Sequence, residues 1–250
     1  MTAKVAAIIQ ARMGSTRLPG KSLMNLAGAP LVGRVLERVK SAKFLDSIIL
    51  AIPDTQENEV LQDLAKHCKV DVFLGSEDDL LDRYFKAALS VDATYVVRIP
   101  ADNPTPQGSE IDRIIEHHLT LNRPGFSSNL AQVFNSGYPD GIGAEIFDFN
   151  LLEEAWEKEV DPKKREHVHL NFFDYATQKA VDENWCPIST VQCPIEFARP
   201  DIILDVNTLE QYKYMSMLYD NLYPKNPNFG IMEIIKWHDG IKSSQGIGVK

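Results

Sequence analysis

Cationic, hydroxyl and glycine residues lie close together near the start of the 250-residue chain. They are Arg12, Gly14, Ser15, Thr16, Arg17, Gly20, Lys21 and Gly28. Glycines let backbone N–H groups approach an anion closely, and cationic side chains neutralise its charge. The composition of this segment therefore predicts a loop that binds a pyrophosphate or a triphosphate.

The spacing of this segment differs from that of a P-loop. A P-loop has about four residues between its first glycine and the Gly-Lys-Ser/Thr triplet, whereas five residues separate Gly14 from Gly20. A P-loop lysine also opens a helix directly, but Gly28 and Pro30 follow Lys21 within a few positions. We therefore expect a long loop between a strand and a helix, and a P-loop kinase is disfavoured.

The elements on either side of the loop are predicted from their apolar residues. The run from Val5 to Ile9 is continuous and rich in branched residues, as in a strand that is buried on both faces of a parallel sheet. Pro30 suits the first turn of a helix. The apolar residues that follow it fall on one helical face: Leu31, Val32, Val35, Leu36 and Val39.

Strands and helices alternate through the first half of the chain. Further strands are predicted at 47–52, 70–74 and 95–99. The helix after the first of these is expected to begin with a capping box of Asp54 and Glu57. Such alternation favours a parallel sheet between helical layers, where ligands bind beyond the carboxyl ends of the strands. The cationic loop and Asp102 both fall at such ends.

The second half is less regular. Its predicted elements are a helix at 108–121, strands at 126–130 and 144–149, a helix from Asn150 through Trp156, a helix that Pro162 opens and that contains 165–169, strands at 189–192 and 202–206, a helix at 208–219, and a short helix at 231–237 before a loose tail. The sequence leaves the strand order open.

Composition limits the class of protein. Hydrophobic residues make up 44% of the chain, which is ample for one sizeable core, and no linker or repeat divides residues 1–250. A formal charge of −9 argues against binding nucleic acid. No apolar run approaches the length of a membrane span. Cys68, Cys186 and Cys193 are odd in number and show no metal-type pairing, so we expect reduced thiols and a cytoplasmic protein.

The segment from Ile8 to Lys21 resembles the N-terminal signature of the cytidylyltransferase family. This family includes acylneuraminate and 3-deoxy-manno-octulosonate cytidylyltransferases, and the resemblance points to its branch of spore-coat polysaccharide biosynthesis proteins. Segments at 76–84, 98–104, 138–141 and 165–167 are similar to further family motifs. The resemblance covers most of residues 5–210.

The resemblance implies a three-layer α/β/α nucleotidyltransferase fold with a mostly parallel, mixed sheet. It implies that CTP is bound by Gln10, Ala11, Arg12, Met13, Gly14, Ser15, Arg17, Lys21, Ser76, Asp78, Arg83 and Asp102. It places five residues on the acceptor side: Tyr138, Asp140, Glu145, Arg165 and His167. A region at about 125–187, which resembles the family's dimerisation region and is rich in aromatic residues, predicts a homodimer.

Nucleotidyl transfer requires a divalent cation, and Mg²⁺ prefers carboxylate and phosphate oxygens. Asp102 aligns with the family's magnesium-binding aspartate, although a turn aspartate would also suit its position. Asp205 and Asn207 fall on one face of the predicted strand and are further candidate ligands. Asn207 aligns with the family's second aspartate, and it is also suited to cap the next helix together with Glu210.

Together these features predict a Mg²⁺-dependent cytidylyltransferase that transfers CMP from CTP to a small-molecule acceptor and releases pyrophosphate. The acceptor class, a sugar acid, a phosphate or a phosphonate, stays open. Arg12 and Lys21 are expected to neutralise charge on the leaving group, and Asp102 to hold the metal ion. The alternatives are a nucleotidyltransferase that uses another nucleoside triphosphate and a non-catalytic nucleotide-binding module of the same fold.

Overall fold

The structure is a computed structural model that describes residues 3–244. Seven strands form its main sheet: β1 (Val5–Gln10), β2 (Ser47–Pro53), β3 (Asp71–Gly75), β4 (Tyr95–Pro100), β5 (Phe126–Ser128), β6 (Glu145–Asp148) and β7 (Ile188–Thr190). The α-helices are α1 (Leu31–Val39), α2 (Glu59–Cys68), α3 (Leu80–Leu89), α4 (Gly108–His118), α5 (Phe149–Lys158), α6 (Pro162–Glu166), α7 (Leu209–Leu222) and α8 (Ile231–Ser244).

The strand order in the main sheet is β7-β5-β6-β4-β1-β2-β3. Strand β6 runs antiparallel to both of its neighbours, β4 and β5, and the other pairs are parallel. The predicted fold, an α/β fold with a mostly parallel, mixed sheet, is confirmed. Because β1, β2 and β4 are parallel neighbours, the loops that follow them meet at one edge of the sheet.

Strand β1 is buried on both faces, as its apolar run predicts. Ala7 and Ile9 pack into the core cluster that also contains residues of α1, α2, α4, α7 and α8. Ala6 and Ile8 pack into the cluster that contains residues of α3 and α5. The sheet therefore lies between two helical layers, because alternate side chains of its central strand face opposite sides.

Several predicted boundaries are wrong. Residues 202–206 form no strand, and only an isolated bridge between Asp140 and Ile203 occurs there. Helix α2 begins at Glu59 after a 3₁₀ turn, without a capping box at Asp54. Helix α6 ends at Glu166, so the residues 167–169 lie beyond it. Helix α8 is longer than predicted, and the tail at 245–250 lies outside the described residues.

The start of α7 answers one open question. Thr208 caps this helix, and its side chain and that of Gln211 form a reciprocal capping box. Asn207 and Glu210 were expected in these roles. Asn207 is therefore released from capping, and its amide group is available for contacts in the loop before the helix.

The aromatic residues at 125–187 are mostly core residues. Tyr138, Phe172 and Phe173 are fully buried within the chain itself, while Phe134 and Trp185 are partly buried against the same core. Their side chains are thus largely unavailable to a partner, which removes the aromatic argument for a homodimer. The homodimer stays a prediction. Cys68, Cys186 and Cys193 are free thiols, and no helix within residues 3–244 has the length and apolarity needed to cross a membrane.

Two glycines in helices allow a matched test of packing. A Cβ atom at Gly108 would lie 2.7 Å from the backbone nitrogen of Ala42, whereas no described heavy atom lies within 4 Å of a Cβ atom at Gly240. We expect Gly108→Ala to destabilise the fold by about 1–3 kcal/mol through overpacking. Gly240→Ala should be neutral or stabilising by up to about 1 kcal/mol through helix propensity. Urea unfolding of both variants checks this, and equal effects would contradict the packing of α4 described above.

Candidate active site

The cationic loop after β1 is fixed by internal hydrogen bonds. The backbone N–H of Met13 donates to Oδ1 of the fully buried Asn58 over 2.9 Å. The Ser22 hydroxyl donates to the carbonyl of Arg12 over 2.9 Å. Gly20 has a φ of 70°, which favours glycine, and it precedes a single 3₁₀ turn at Lys21–Leu23. As expected, no α-helix opens at the lysine, so the segment is not a P-loop.

This loop forms one side of a pocket of about 310 Å³, here called the first pocket. Its other walls come from the start of α3, the carboxyl end of β4 and the residues after α6. Its lining residues include basic side chains from three parts of the chain: Arg12, Arg17, Lys21, Arg83 and Arg98. The carboxylates in the lining are Glu77, Asp102 and Glu166. A volume of this size with a mainly cationic wall suits a small, strongly anionic ligand.

Lys21 joins the loop to the rest of the site. Its ammonium group donates to Oδ2 of Asp102 over 2.8 Å, to the carbonyl of Val206 over 2.9 Å and to Oδ1 of Asn207 over 3.1 Å. Asp102 and Lys21 are both mostly shielded from solvent. Residues from the loop after β1, the end of β4 and the start of α7 thus meet around one cation.

The two oxygen-bearing segments are held together by further bonds. The backbone N–H of Val206 donates to the carbonyl of Asp102 over 2.9 Å. The carboxylate of Asp205 accepts from Nδ2 of Asn207 over 2.5 Å and from Nε2 of Gln211 over 2.8 Å. These contacts orient Oδ1 of Asn207 toward Lys21. Asp205 thus orients its neighbours, and it does not contact the Lys21 ammonium directly.

The donor set around Lys21 fits a hard divalent cation. A carboxylate, a carboxamide oxygen and a backbone carbonyl converge on the ammonium group, and hard cations prefer such all-oxygen surroundings. The ammonium is the positive charge that these oxygens now share. Between residues 3 and 244 no group of three or more His, Cys, Asp and Glu side chains is arranged to hold a metal ion by itself. A metal ion here would therefore depend on ligand phosphates as well as on the protein.

The start of α3 contributes a buried arginine to the first pocket. Arg83 donates through Nη1 to the carbonyl of Ser76 over 2.8 Å, and burial lowers the pKa of its guanidinium to about 10. It is still cationic at neutral pH. Asp79 caps α3, and the Ser76 hydroxyl accepts from its backbone N–H. Asp78, which was expected to bind nucleotide, is exposed outside this pocket.

A smaller pocket of about 230 Å³, the second pocket, adjoins the first. The two pockets share Arg98, Pro100 and Asp102. Asp140 lines the second pocket, where burial raises the pKa of its carboxyl group and the nearby Asp205 and Asp102 add to the shift. A molecule in the second pocket would lie beside one in the first, with Asp102 between them.

The structure separates the five predicted acceptor residues. His167 lines the first pocket, and Asp140 and Glu145 line the second. Tyr138 is fully buried, and its hydroxyl contacts Glu110 and Arg113. This burial removes Tyr138 from the acceptor contacts.

Arg165 also takes a different role. Its guanidinium pairs with Asp79 over 2.7 Å and donates to the carbonyls of Trp156 and Glu159. These contacts anchor α6 to the start of α3, and Nε and both Nη atoms of Arg165 each have a partner within the chain. Of the predicted nucleotide-binding residues, Met13, Gly14, Ser76 and Asp78 lie outside the lining of the first pocket.

One residue of the site was not anticipated. Arg98 lines both pockets and lies within β4, between apolar residues that are fully buried. A charged residue inside an otherwise apolar strand was the sequence signal for it, because such a residue is rarely buried without a partner.

Comparison with known proteins identifies the family of this chain. The profile of the family described as "Cytidylyltransferase" matches residues 6–224. The chain belongs to the cytidylyltransferase family. It is a CTP-dependent nucleotidyltransferase, and the predicted family is confirmed.

Individual relatives agree with this assignment. The chain is 29% identical to the spore coat polysaccharide biosynthesis protein SpsF of Bacillus subtilis, over 91% of both chains. It is 33% identical to a 3-deoxy-manno-octulosonate cytidylyltransferase of Geobacter metallireducens, over 45% of this chain and 43% of that one. A solved cytidylyltransferase structure from Leptospira borgpetersenii superimposes with a TM-score of 0.84, at 27% identity, over 97% of this chain and 96% of that one.

Proposed function

We propose that this cytidylyltransferase transfers CMP from CTP to a small-molecule acceptor and releases pyrophosphate. The observation that carries the proposal is the convergence of Lys21, Asp102 and Asn207 at the junction of two adjacent pockets. The cationic first pocket suits the triphosphate nucleotide. The second pocket, which shares Asp102 with the first, would hold an acceptor beside the nucleotide.

The reaction assigned to this geometry is an in-line displacement. An oxygen of the acceptor attacks the α-phosphorus of CTP, a P–O bond forms, and the bond to pyrophosphate breaks. Arg12, Arg17 and Lys21 neutralise the charge that builds on the leaving group, which is electrostatic stabilisation of the transition state. Asp102 and Asn207 would hold Mg²⁺, which supplies Lewis-acid stabilisation of the phosphate oxygens when it is bound.

Pyrophosphate release tests the activity. The protein is incubated with CTP, Mg²⁺ and an acceptor panel of 3-deoxy-manno-octulosonate, glucose 1-phosphate and 2-hydroxyethylphosphonate. Pyrophosphate with at least one acceptor supports the proposal, whereas release of CDP, which follows transfer of the γ-phosphoryl group, would indicate a kinase. If no acceptor of the panel leads to pyrophosphate release but CTP binding is saturable, a non-catalytic binding module would be favoured. A cytoplasmic location and the absence of nucleic-acid partners stay predictions.

The base preference gives a separate prediction. The lining of the first pocket includes Gln10, Ala11 and Leu80. Oε1 of Gln10 is buried without a hydrogen-bond partner among the described residues. A buried acceptor favours a ligand that brings a donor, such as the amino group of cytosine. With Mg²⁺ present, we expect CTP to raise the melting temperature more than UTP, which lacks this amino group. From the family resemblance of the segment that begins at Gln10, we also expect a larger effect of CTP than of GTP or ATP.

Binding to the native state alone stabilises by about 2.7 kcal/mol at a hundred times the Kd, so the effect is measurable by differential scanning fluorimetry. Equal protection by UTP would contradict the role of Gln10 in reading the base, and the fold would be unaffected by that result. Gln10→Met, which keeps the length of the side chain and removes the acceptor oxygen, serves as the matched variant and should lose the preference for CTP over UTP.

A further inference from the structure

Arg98 is a buried cation at the junction of the two pockets. Only 9% of its surface is exposed, yet it contributes to the lining of both pockets. It lies on β4, and Asp102 follows in the turn two residues after the end of that strand. The strand and the turn after it therefore present a guanidinium and a carboxylate to the same region of the site.

The sheet register fixes the partner of Arg98. In the antiparallel pair of β4 and β6, Arg98 is directly opposite Glu145. Nη1 of Arg98 donates to Oε2 of Glu145 over 2.6 Å, and the Tyr175 hydroxyl donates to Oε1 over 2.5 Å. Each oxygen of the fully buried Glu145 thus has its own donor, so its buried charge is compensated.

The groups around Arg98 keep it charged. Burial opposes ionisation of both partners, but Arg98 lowers the pKa of Glu145 and Glu145 raises the pKa of Arg98. Tyr84 and Tyr175 are neutral, because burial raises the pKa of each phenol. Burial also lowers the pKa of His169 to about 4, so this imidazole is neutral at pH 7. The guanidinium is therefore the permanent cation of the second pocket lining.

One N–H donor of the Arg98 guanidinium has no acceptor among the described residues. Nε of Arg98 is buried and has no hydrogen-bond partner among the described residues. A buried N–H without an acceptor costs free energy, and the cost is removed if a ligand supplies an oxygen. Arginine beside an anionic oxygen forms short, charge-assisted hydrogen bonds. Arg98 lines both pockets, so an anionic substrate oxygen that enters them would meet a guanidinium that the described part of the chain does not saturate.

We propose that Arg98 binds an anionic substrate oxygen where nucleotide and acceptor meet, and that Glu145 and Tyr175 position its guanidinium. The proposal rests on the cytidylyl transfer proposed above. The oxygen comes either from the α-phosphate, whose charge changes during displacement, or from an acidic group of the acceptor. Glu145 was expected to contact the acceptor, and in this account it acts through Arg98.

The test removes the buried charge pair as a unit. Arg98→Met alone would leave the Glu145 charge buried and unpaired, so the variant is the double substitution Arg98→Met with Glu145→Gln. We expect it to fold, to keep its thermal protection by CTP with Mg²⁺, and to lose on the order of a hundredfold in kcat/KM. Tyr175→Phe should show a smaller loss in the same parameter, because it loosens the position of the guanidinium without removing it.

The kinetic parameters distinguish the two sources of the oxygen. A fall in kcat with both KM values unchanged assigns the oxygen to the α-phosphate. A rise in the KM of the acceptor alone, measured with the panel member that the wild type uses, assigns it to the acceptor. Wild-type kcat and KM values in the double variant would overturn the proposal.

Two controls complete the experiment. If the double variant does not fold, Arg98→Lys replaces it, because it keeps the charge and loses the planar fork; wild-type kinetics in Arg98→Lys would then overturn the proposal. A wild-type protein that releases no pyrophosphate refutes cytidylyl transfer itself. That result differs from an active wild type whose double variant is unchanged, which refutes only the role of Arg98.

Discussion

Asp102→Asn is expected to fold normally and to lose on the order of a hundredfold or more of its cytidylyl transfer activity. Asparagine keeps the shape of the side chain and can still accept a hydrogen bond from Lys21, which now lies 2.8 Å from Oδ2. Stability should therefore change by less than about 1 kcal/mol. The lost negative charge weakens the hold on Mg²⁺ at the only strong carboxylate ligand that the donor set offers among the described residues.

Pyrophosphate release and melting temperature are measured on the same samples of Asp102→Asn, at ordinary and raised Mg²⁺ concentration. Asp92→Asn is the matched control, because Asp92 is exposed and pairs only loosely with Lys4 over 3.4 Å. Turnover close to wild type in Asp102→Asn would remove this residue from the mechanism. Asp205→Asn should show a milder defect, since Asp205 orients Asn207 and does not contact the shared cation.

Lys21→Met is expected to have an effect of similar size through the opposite charge. In the proposed reaction the Lys21 ammonium neutralises phosphate charge, so its removal should lower kcat/KM for CTP on the order of a hundredfold. The same substitution frees the oxygens of Asp102, Val206 and Asn207 from their present cation. We therefore expect Mn²⁺ to bind more tightly to the variant than to the wild type when nucleotide is absent.

Electron paramagnetic resonance of free Mn²⁺ measures this binding without any turnover. Weaker binding of Mn²⁺ to Lys21→Met would show that the ammonium and the metal do not share these oxygens. Lys66→Met serves as the control, because Lys66 is exposed and pairs only with Asp63 on α2. It should change neither Mn²⁺ binding nor transfer.

Lys21 of the loop and Asp102 after β4 are expected to act together when nucleotide and metal bind. The Lys21 ammonium lies among the oxygens that would hold a metal ion in the proposed reaction, and its flexible stem allows it to turn toward phosphates of a bound nucleotide. Loading of the site with nucleotide and metal would thus exchange one cation for another. The loss of either charge should be costly because, in the proposed reaction, Lys21 neutralises phosphate charge directly and Asp102 does so through the metal ion that it would hold.

Local sequence was sufficient for much of the fold. The apolar run at 5–9 and the one-sided apolar face of α1 were visible from residue spacing, and both are buried as predicted. Alternation of strands and helices predicted a layered, mostly parallel sheet, and it placed Asp102 and the cationic loop at carboxyl strand ends. Parallel neighbours bring such ends together whatever the details of the loops.

Contacts between segments that are far apart in the chain could not be predicted from the sequence. Lys21 donates a hydrogen bond to Asn207, which lies 186 residues later in the chain. Arg165 donates to Asp79, which lies 86 residues earlier. A residue type fixes which bonds a side chain can form, but packing decides which partner lies within reach. For this reason the family resemblance could place Arg165 and Tyr138 on the acceptor side, whereas only the structure shows that Arg165 pairs with Asp79 and that Tyr138 is buried.

The family, the cationic loop and the carboxylate at the end of β4 were thus determined by the sequence itself, because each depends on a short run of residues. The tertiary structure alone decided which groups share a cation, which arginine lines both pockets and which helix cap leaves Asn207 available. Arg98 shows the difference most clearly. Its positive charge is evident from the sequence. Its pairing with Glu145 follows from the antiparallel register of β4 and β6, which no local sequence pattern determines.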